Sequence, residues 1–218
     1  MKRVLITAAS DGLGRELAKL CVHDGIEVIC ISRRKPDYSA VHIKTDLTDE
    51  KSIINCADEI KKSYAKFDAL VNCAGIVSIG ETCKIDYKEL DNLMKVNAVA
   101  PMFLTSKLLE LIKENEADVI NVGSTAGTKG KANECIYGSS KWAMRGFTKS
   151  LQDELAKTKC RVTEFNPGGM QTKFFDKFCG GKVDTASFMS PKDIAEVMLY
   201  ILKLPKKMEV SEILINRK

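Results

Sequence analysis

The feature that most constrains the fold lies at the start of the chain, where a short apolar segment runs into residues 7–14, TAASDGLG. The residues that follow, up to position 23, have the composition and spacing of a helix. A buried strand, a tight turn and a helix N-terminus together bind the pyrophosphate of a dinucleotide, because the first N–H groups of a helix lack partners and glycine permits close approach. Alone this pattern is weak evidence, since glycine is also common in ordinary strand-to-helix turns.

Strand-like and helix-like segments alternate along the whole chain. The apolar patterns predict strands at residues 4–7, 27–31, 41–43, 69–71, 119–122, 160–165 and 209–215. Helices are predicted between them, at residues 14–23, 49–64, 86–113, 134–155 and 191–202. Mostly apolar strands in this alternation are typical of a parallel sheet covered by helices on both faces. We therefore predict a doubly wound, Rossmann-like α/β fold in one domain spanning residues 1–218.

Composition argues against several functional classes. The net charge of +5 is spread along the chain without a basic stripe interleaved with aromatic residues, so a solvated surface is favoured over nucleic-acid binding. The apolar start is too short for a signal peptide, and no stretch suits a membrane span. The eight cysteines and two histidines show no metal-ligand spacing. We expect free thiols, no metal and a cytoplasmic location.

A second motif, YGSSK at residues 137–141, lies within a predicted helix. Residues four apart share one helix face, so the ammonium of Lys141 can lie near the hydroxyl of Tyr137. A nearby cation favours the phenolate and would lower the tyrosine pKa from about 10. Such a tyrosine suits proton transfer to a carbonyl oxygen near neutral pH. The spacing is also expected by chance, so the pair needs support from other residues.

That support comes from polar residues placed after other strands. Ser124 follows the strand at 119–122, where its hydroxyl is able to bind a substrate carbonyl. The segments NCAG at 72–75 and NPGGMQT at 166–172 each follow a strand, and Asn97 lies within the long helix. Loops leaving the carboxyl ends of parallel strands build the site of such a sheet. Residues 173–189 then form a candidate substrate lid, with a plain surface loop as the alternative.

With these motifs in this order, the chain resembles the short-chain dehydrogenase/reductase family in its single-domain form, over residues 2–215. The resemblance implies a seven-stranded parallel sheet in the order 3-2-1-4-5-6-7, with a nicotinamide cofactor along its carboxyl edge. It implies that Tyr137 is the acid/base, that Lys141 lowers its pKa and holds the ribose, and that Ser124 orients the carbonyl. Asn97 would support a proton-relay water.

The same motifs give the expected cofactor-binding residues. These are Thr7, Ser10, Gly12, Leu13, Gly14, Ser32, Arg33, Arg34, Asp46, Leu47, Asn72, Ala74, Gly75, Tyr137, Lys141, Pro167, Gly168 and Thr172. By resemblance, Asn72 would hold the central sheet together. Pro167, Gly168 and Thr172 would seat the nicotinamide carboxamide. The chain departs from the family pattern at Ala8, where a glycine is usual, and at Cys73, where an asparagine is usual.

Residues after the second and third strands indicate which dinucleotide binds. Ser32 occupies the position where an NAD enzyme places a carboxylate, and Arg33 is able to pair with a 2′-phosphate, so we expect NADP(H) in preference to NAD(H). A solvated charged turn is the alternative. Asp11 slightly favours NAD(H), because related NADP-binding chains often carry a basic residue at that position. Asp46 is expected at the adenine, with Leu47 packed beside it; capping of the next helix is the alternative for Asp46.

The predicted function is an NADP(H)-dependent oxidoreductase that transfers a hydride between NADPH and a small carbonyl or alcohol substrate, as a carbonyl reductase or an alcohol dehydrogenase. The alternative is a non-catalytic, redox-sensing regulator that binds NADP(H) on the same fold. The broad apolar faces of helices 86–113 and 134–155, together with the resemblance, predict a homodimer or homotetramer. Pro101 is expected to interrupt the first of these helices, since it has no N–H to donate to the carbonyl of Asn97.

Overall fold

The computed structural model describes residues 1–174 and 184–218 and is organised around one parallel sheet. Within those residues the sheet has seven strands in the order β3-β2-β1-β4-β5-β6-β7, which confirms the predicted fold class. The strands are β1 Arg3–Thr7, β2 Glu27–Ser32, β3 Val41–Lys44, β4 Ala69–Asn72, β5 Asp118–Val122, β6 Val162–Pro167 and β7 Glu212–Ile215.

Helices cover both faces of this sheet. They are α1 Gly12–His23, α2 Glu50–Ser63, α3 Tyr87–Met94, α4 Ala100–Glu114, α5 Cys135–Leu155 and α6 Pro191–Lys203. Short 3₁₀ turns lie at Thr82–Lys84 and Thr125–Gly127, and one π-helical turn at Lys95–Val99 joins α3 to α4. Across the described part of the chain, no helix has the length and apolar character needed to cross a membrane.

Two apolar cores hold the layers together. One lies between the sheet and α1 with α6, and the other between the sheet and α2, α4 and α5. Representative fully buried side chains are Leu17, Ala18, Phe165 and Met198 in the first, and Leu5, Ile60, Leu104 and Leu108 in the second. Because each buried leucine or isoleucine contributes about 1.5–3 kcal/mol, these cores fix the helices against the sheet and so set the position of its carboxyl edge.

Local sequence signals explain where several helices begin and end. The side chain of Asp49 accepts hydrogen bonds from the N–H groups of Lys51 and Ser52 and thereby starts α2. Ser190 caps α6 in the same way, with Pro191 in the first turn, where its missing N–H costs nothing. Gly25 has φ +72 directly after α1, a left-handed conformation that ends the helix at little cost.

The turn between β1 and α1 is tightly packed. Ala8 has φ 55, and its N–H donates to the carbonyl of Ile31 at 2.8 Å. A Cβ atom at Gly14 would lie 2.9 Å from the carbonyl oxygen of Ala8, so only glycine fits there. Gly12 also has a positive φ of 53. At position 8, where the family that the chain resembles usually has a glycine, this chain has an alanine held in the left-handed region.

The long helix predicted at 86–113 is continuous but changes its hydrogen-bonding pattern in the middle. In the π turn, the N–H of Ala100 donates to the carbonyl of Lys95, five residues back. Pro101 follows immediately, and an interruption at this place was the sequence prediction. The interruption is a π-helical turn immediately before the proline, a feature often found at functional sites.

The left-handed alanine generates a stability prediction. A non-glycine residue in this region costs about 1–2 kcal/mol, and part of the gain from glycine is lost to its greater freedom in the unfolded chain. We expect Ala8→Gly to raise the free energy of unfolding by about 0.5–1 kcal/mol in a urea titration. The matched control is Ala9→Gly, where the backbone is not left-handed and a buried methyl is lost. It should lower stability, and an Ala8→Gly protein less stable than wild type would contradict the strain.

Candidate active site and cofactor cleft

A cleft of about 360 Å³ opens along the carboxyl edge of the sheet. Sixteen of the eighteen expected cofactor-binding residues line it. These are Ser10, Gly12, Leu13, Gly14, Ser32, Arg33, Arg34, Asp46, Leu47, Ala74, Gly75, Tyr137, Lys141, Pro167, Gly168 and Thr172. Residues that are far apart in sequence thus meet at one edge, as the parallel topology requires.

The other two, Thr7 and Asn72, lie behind the cleft and support it. The Thr7 hydroxyl accepts hydrogen bonds from the N–H groups of Cys73 at 2.9 Å and Ala74 at 3.1 Å, which fixes the loop after β4. The Asn72 amide donates to the side chain of Asn121 at 2.8 Å and to another buried oxygen on α4. Neither residue lines the cleft; Thr7 positions the loop that does, and Asn72 joins β4 to β5 and α4.

At one end of the cleft, charged side chains surround the N-terminus of α1. The carboxylate of Asp11 accepts from the N–H of Gly12 at 2.9 Å and pairs with Arg34 at 2.8 Å. Arg34 is therefore already engaged with a carboxylate. Arg33 is exposed and lines the cleft, and within the described residues it forms no ion pair. The two arginines are not equivalent, a distinction that sequence alone did not make.

Asp46 lies in the turn after β3 and does not cap a helix. Its Oδ1 accepts from the N–H of Thr48 at 2.9 Å and from the hydroxyl of Thr48 at 2.8 Å, while Asp49 caps α2. The backbone hydrogen bond from Thr48 is the largest cause that lowers the Asp46 pKa, and the charge of Arg33 adds to it. The capping alternative for Asp46 is wrong, and its carboxylate faces the cleft as an anion.

At the other end of the cleft, Tyr137, Ser124 and Lys141 come together. Tyr137 is 9% exposed, and the Nζ atom of Lys141 lies 5.8 Å from the centre of its ring. Nζ also donates to the carbonyl of Val122 at 3.0 Å. The ring of Phe174 packs edge-on at a centroid distance of 6.3 Å. The cleft therefore ends in a buried phenol with a hydroxyl and a cation beside it.

Burial controls the protonation of this pair. It raises the pKa of Tyr137 to about 12, and the hydrogen bond with Ser124 opposes the shift without overcoming it. Burial also lowers the pKa of Lys141 to about 8. The expectation that Lys141 lowers the Tyr137 pKa below 10 is therefore wrong for this structure, because burial of the phenol is the larger effect.

Asn97 lies in the π turn and is 1% exposed. Its Oδ1 accepts from the N–H of Ile76 at 2.8 Å, and its Nδ2 donates to the carbonyl of Ile76 at 2.8 Å and to the hydroxyl of Ser140 at 3.0 Å. A Cβ atom at Gly75 would lie 3.6 Å from both Asn97 Oδ1 and Lys141 Nζ. The Asn97 amide thus holds the loop after β4 against α5, next to Lys141.

Two residues of β6 were not recognised from sequence as part of the site. Asn166, known only as the start of a loop motif, accepts a hydrogen bond from the N–H of Ser124 at 3.1 Å. Glu164, which was not singled out, accepts from the Asn166 amide at 2.9 Å. The available signal was a pair of polar residues two apart in an apolar strand, which places both on one face.

The predicted lid at 173–189 falls partly on residues 175–183, which lie outside the described residues. Of its described residues, Lys173 and Phe174 line the cleft, and Met189 pairs with Met170 in an isolated parallel bridge. Gly169 allows close packing with Phe188, because a Cβ atom there would lie 2.6 Å from that ring. Met170 and Phe174 thus give this rim of the cleft an apolar character.

Comparisons with known proteins agree with this geometry. The sequence model of the short chain dehydrogenase family matches residues 2–179. An NADP-dependent 3-hydroxy acid dehydrogenase of Schizosaccharomyces pombe is 30% identical, over 98% of this chain and 92% of the relative.

Solved structures have the same fold. The closed form of a serine dehydrogenase complexed with NADP+ is 24% identical, with a TM-score of 0.88 over 97% of this chain and 94% of that chain. A 4-hydroxyisoleucine dehydrogenase complexed with NADH is 22% identical, with a TM-score of 0.87 over 100% of this chain and 98% of that chain. The chain belongs to the short-chain dehydrogenase family and is an oxidoreductase of that family.

Proposed function

We propose that this oxidoreductase uses NADP(H) to interconvert a small carbonyl compound and the corresponding alcohol, with Tyr137 as the acid/base. The observation that carries the proposal is the meeting of Tyr137, Ser124 and Lys141 at one end of a cleft whose other end is the glycine-lined N-terminus of α1. A dinucleotide has the same two-ended character, with a reactive ring at one end and phosphates towards the other.

The residues present fit such a cofactor. The Asp11 carboxylate accepts from the N–H of Gly12, and the glycines at positions 12 and 14 place no side chain over this turn, which suits a pyrophosphate. Gly75 keeps the path open beside Lys141. Lys141 would hold the nicotinamide ribose, and Thr172, whose Cγ2 lies 3.9 Å from a Cβ built at Gly12, would bind near the carboxamide.

When bound, the nicotinamide supplies or accepts the hydride. The Tyr137 hydroxyl donates its proton to the carbonyl oxygen during reduction and takes it back from the alcohol during oxidation. Ser124 Oγ accepts from the N–H of Ala126 at 3.1 Å, which leaves its own proton for the substrate oxygen or for Tyr137. A tyrosine pKa near 12 keeps the phenol protonated at neutral pH, the form that reduction needs.

NADP(H) is proposed over NAD(H) because of Arg33. Ser32 is buried in the position next to it, and its hydroxyl donates to the carbonyl of Arg34, so no carboxylate from this position competes for the ribose. The relative from Schizosaccharomyces pombe is described as NADP-dependent, and a serine dehydrogenase of the same fold is complexed with NADP+. A protein of that fold also binds NADH, so the preference rests on the side chains of this chain.

No feature of the site favours the alternative of a non-catalytic regulator, since binding alone does not require Tyr137 and Ser124 together.

Assembly stays a prediction. Val99 is 52% exposed in the π turn and Trp142 is 49% exposed on α5. We propose that these faces of α4 and α5 pair between copies in a homodimer or homotetramer.

Loss of the Tyr137 hydroxyl tests the acid/base role. Tyr137→Phe removes only the proton donor, so kcat for carbonyl reduction should fall below a tenth of the wild-type value, a barrier increase above about 1.4 kcal/mol. The NADPH Kd, measured by fluorescence titration, should change less than about twofold. Tyr200→Phe, on the exposed surface of α6, is the matched control and should leave both values unchanged. Turnover above a tenth in Tyr137→Phe would contradict the assignment.

Removal of the Arg33 guanidinium tests the cofactor preference. Only NADPH carries the 2′-phosphate, so Arg33→Ala should weaken NADPH binding by about tenfold or more and NADH binding by less than about twofold. Lys35→Ala removes an exposed charge from the same turn outside the cleft and serves as the control. Equal weakening of both cofactors by Arg33→Ala would show that Arg33 is only a surface charge.

The buried ammonium generates a pH prediction for the protein without cofactor. The Lys141 pKa is about 8 in the folded chain and about 10.4 in the unfolded chain, so between these values the unfolded state holds a proton that the folded state lacks. This group therefore makes stability rise with pH, at up to about 1.4 kcal/mol per pH unit. The buried thiols of Cys21, Cys56 and Cys73 have raised pKa values and act in the opposite direction, but they are present in every variant. In urea titrations between pH 7.5 and 9.5, the slope of stability against pH should therefore be more positive in wild type than in Lys141→Met. The exposed Lys107→Met is the control, and parallel curves for wild type and Lys141→Met would contradict the shift.

A further inference from the structure

We propose that Glu164 and Asn166 are positioning residues that fix Ser124 for the reaction, through a chain of hydrogen bonds running from the surface of α5 into the cleft. The proposal rests on the proposed function, in which the Ser124 hydroxyl binds the substrate oxygen. Both side chains lie on β6, and they are 2% and 1% exposed. Neither lines the cleft, and the side-chain contact of Asn166 that reaches the proposed catalytic group is the hydrogen bond from the N–H of Ser124.

Ser124 is held on two sides. Its N–H donates to Asn166 Oδ1 at 3.1 Å, and its Oγ accepts from the N–H of Ala126 at 3.1 Å. Its backbone is extended, with φ −171, so the hydroxyl is set by these two contacts at the end of β5. The remaining proton of the hydroxyl then points to partners within the site. Loss of the Asn166 contact would free the peptide that carries this hydroxyl.

The contact between Asn166 and Ser124 is built into the packing of two strands. A Cβ atom at Gly123 would lie 2.0 Å from Asn166 Oδ1 and 3.2 Å from its Cγ. Gly123 is therefore required to admit the asparagine amide against β5. The N–H of Gly123 also donates to the carbonyl of Phe165 at 2.8 Å, which keeps the two strands in register at this point.

Glu164 determines which way the Asn166 amide faces. The N–H of Ser124 needs an acceptor, so Oδ1 must face Ser124. The Glu164 carboxylate offers only acceptors, so the Nδ2 group must face it, and it donates to Oε1 at 2.9 Å. A flipped amide would place two donors together at one end and two acceptors at the other. One carboxylate and one backbone N–H thus select a single orientation.

An ionic cluster on α5 and β7 surrounds the buried carboxylate of Glu164. Arg145 NH1 lies 3.3 Å from Glu164 Oε1, and Lys149 Nζ lies 3.5 Å from Oε2. Both cations also pair with Glu212, at 2.9 Å and 2.8 Å. A carboxylate that is 2% exposed is very costly without such partners, and this one lies beside the amide that holds Ser124. A role in positioning explains why an acidic residue is buried in a strand whose other residues carry no charge.

The test uses one variant that removes the hydrogen bonds of Asn166 and a double variant that restores them with the carboxylate and the amide exchanged between positions 164 and 166. Asn166→Leu keeps the branched shape and the number of side-chain heavy atoms and removes both hydrogen bonds. The double variant Glu164→Gln/Asn166→Asp restores both, because the amide introduced at 164 donates to the carboxylate introduced at 166, which accepts from Ser124. Asn166→Asp alone sets two carboxylates at hydrogen-bond distance. Thr163→Val is the matched control, since it removes a buried hydrogen bond of β6, to the carbonyl of Val210, that does not reach Ser124.

Two measurements are made on each folded variant. The first is kcat with saturating NADPH and the best carbonyl from a panel of aldehydes and ketones. Asn166→Leu should lower kcat about tenfold to a hundredfold with KM changed less than about threefold, and the double variant should recover most of the loss. The second is hydrogen exchange of the Ser124 amide by NMR. It should speed up about tenfold or more in Asn166→Leu and return towards wild type in the double variant.

The two measurements separate this proposal from the proposed function. A wild-type chain that reduces no carbonyl of the panel would contradict the proposed function, while unchanged Ser124 exchange in Asn166→Leu would overturn the positioning. Wild-type kcat in Asn166→Leu would also overturn it, as would an inactive double variant whose Ser124 amide is protected. Melting temperatures monitor folding. If Asn166→Leu does not fold, Asn166→Ser replaces it, since the shorter side chain cannot span both partners.

Discussion

The side-chain amide of Asn97 joins the three segments on which the reactive end of the cleft depends. It lies in the π turn, bonds both backbone groups of Ile76 in the loop after β4, and donates to Ser140 on α5. A buried amide left unpaired costs about 1–3 kcal/mol per group, so the three segments are held together as one unit. Lys141 follows Ser140 directly, so the contact with Ser140 holds the part of α5 that carries Tyr137 and Lys141 against the loop after β4. The wide turn before Pro101 is what brings the amide of Asn97 there.

Much of the fold was predictable because its signals are local. Apolar strands of four to six residues, alternating with amphipathic helices, leave few alternatives to a parallel sheet covered on both faces. The proline in the long helix predicted an interruption, since no proline donates a backbone hydrogen bond. That the interruption is a π turn did not follow from sequence, because the extra residue is accommodated by packing of α3 and α4 against the rest of the protein.

The sequence predicted which residues line the cleft better than it predicted their pKa values and ion pairs. The helical spacing of Tyr137 and Lys141 predicts that both lie on one face of α5, but the pKa of Tyr137 depends on how deeply the phenol is buried. The difference between Arg33 and Arg34 depends on a contact with Asp11 across 23 residues of sequence. Glu164 was overlooked because its partners come from α5 and β7, and only the folded chain brings them together.

The central claim is that the cleft supports direct hydride transfer between a nicotinamide and a carbonyl carbon, with the proton supplied separately by Tyr137. The most direct measurement uses NADPH carrying deuterium at one face of nicotinamide C4, with mass spectrometry of the alcohol formed in ordinary water. The account predicts that deuterium from one face only appears on the carbinol carbon, while the hydroxyl hydrogen comes from solvent. An alcohol without deuterium for either labelled face, or with deuterium from both faces equally, would contradict it.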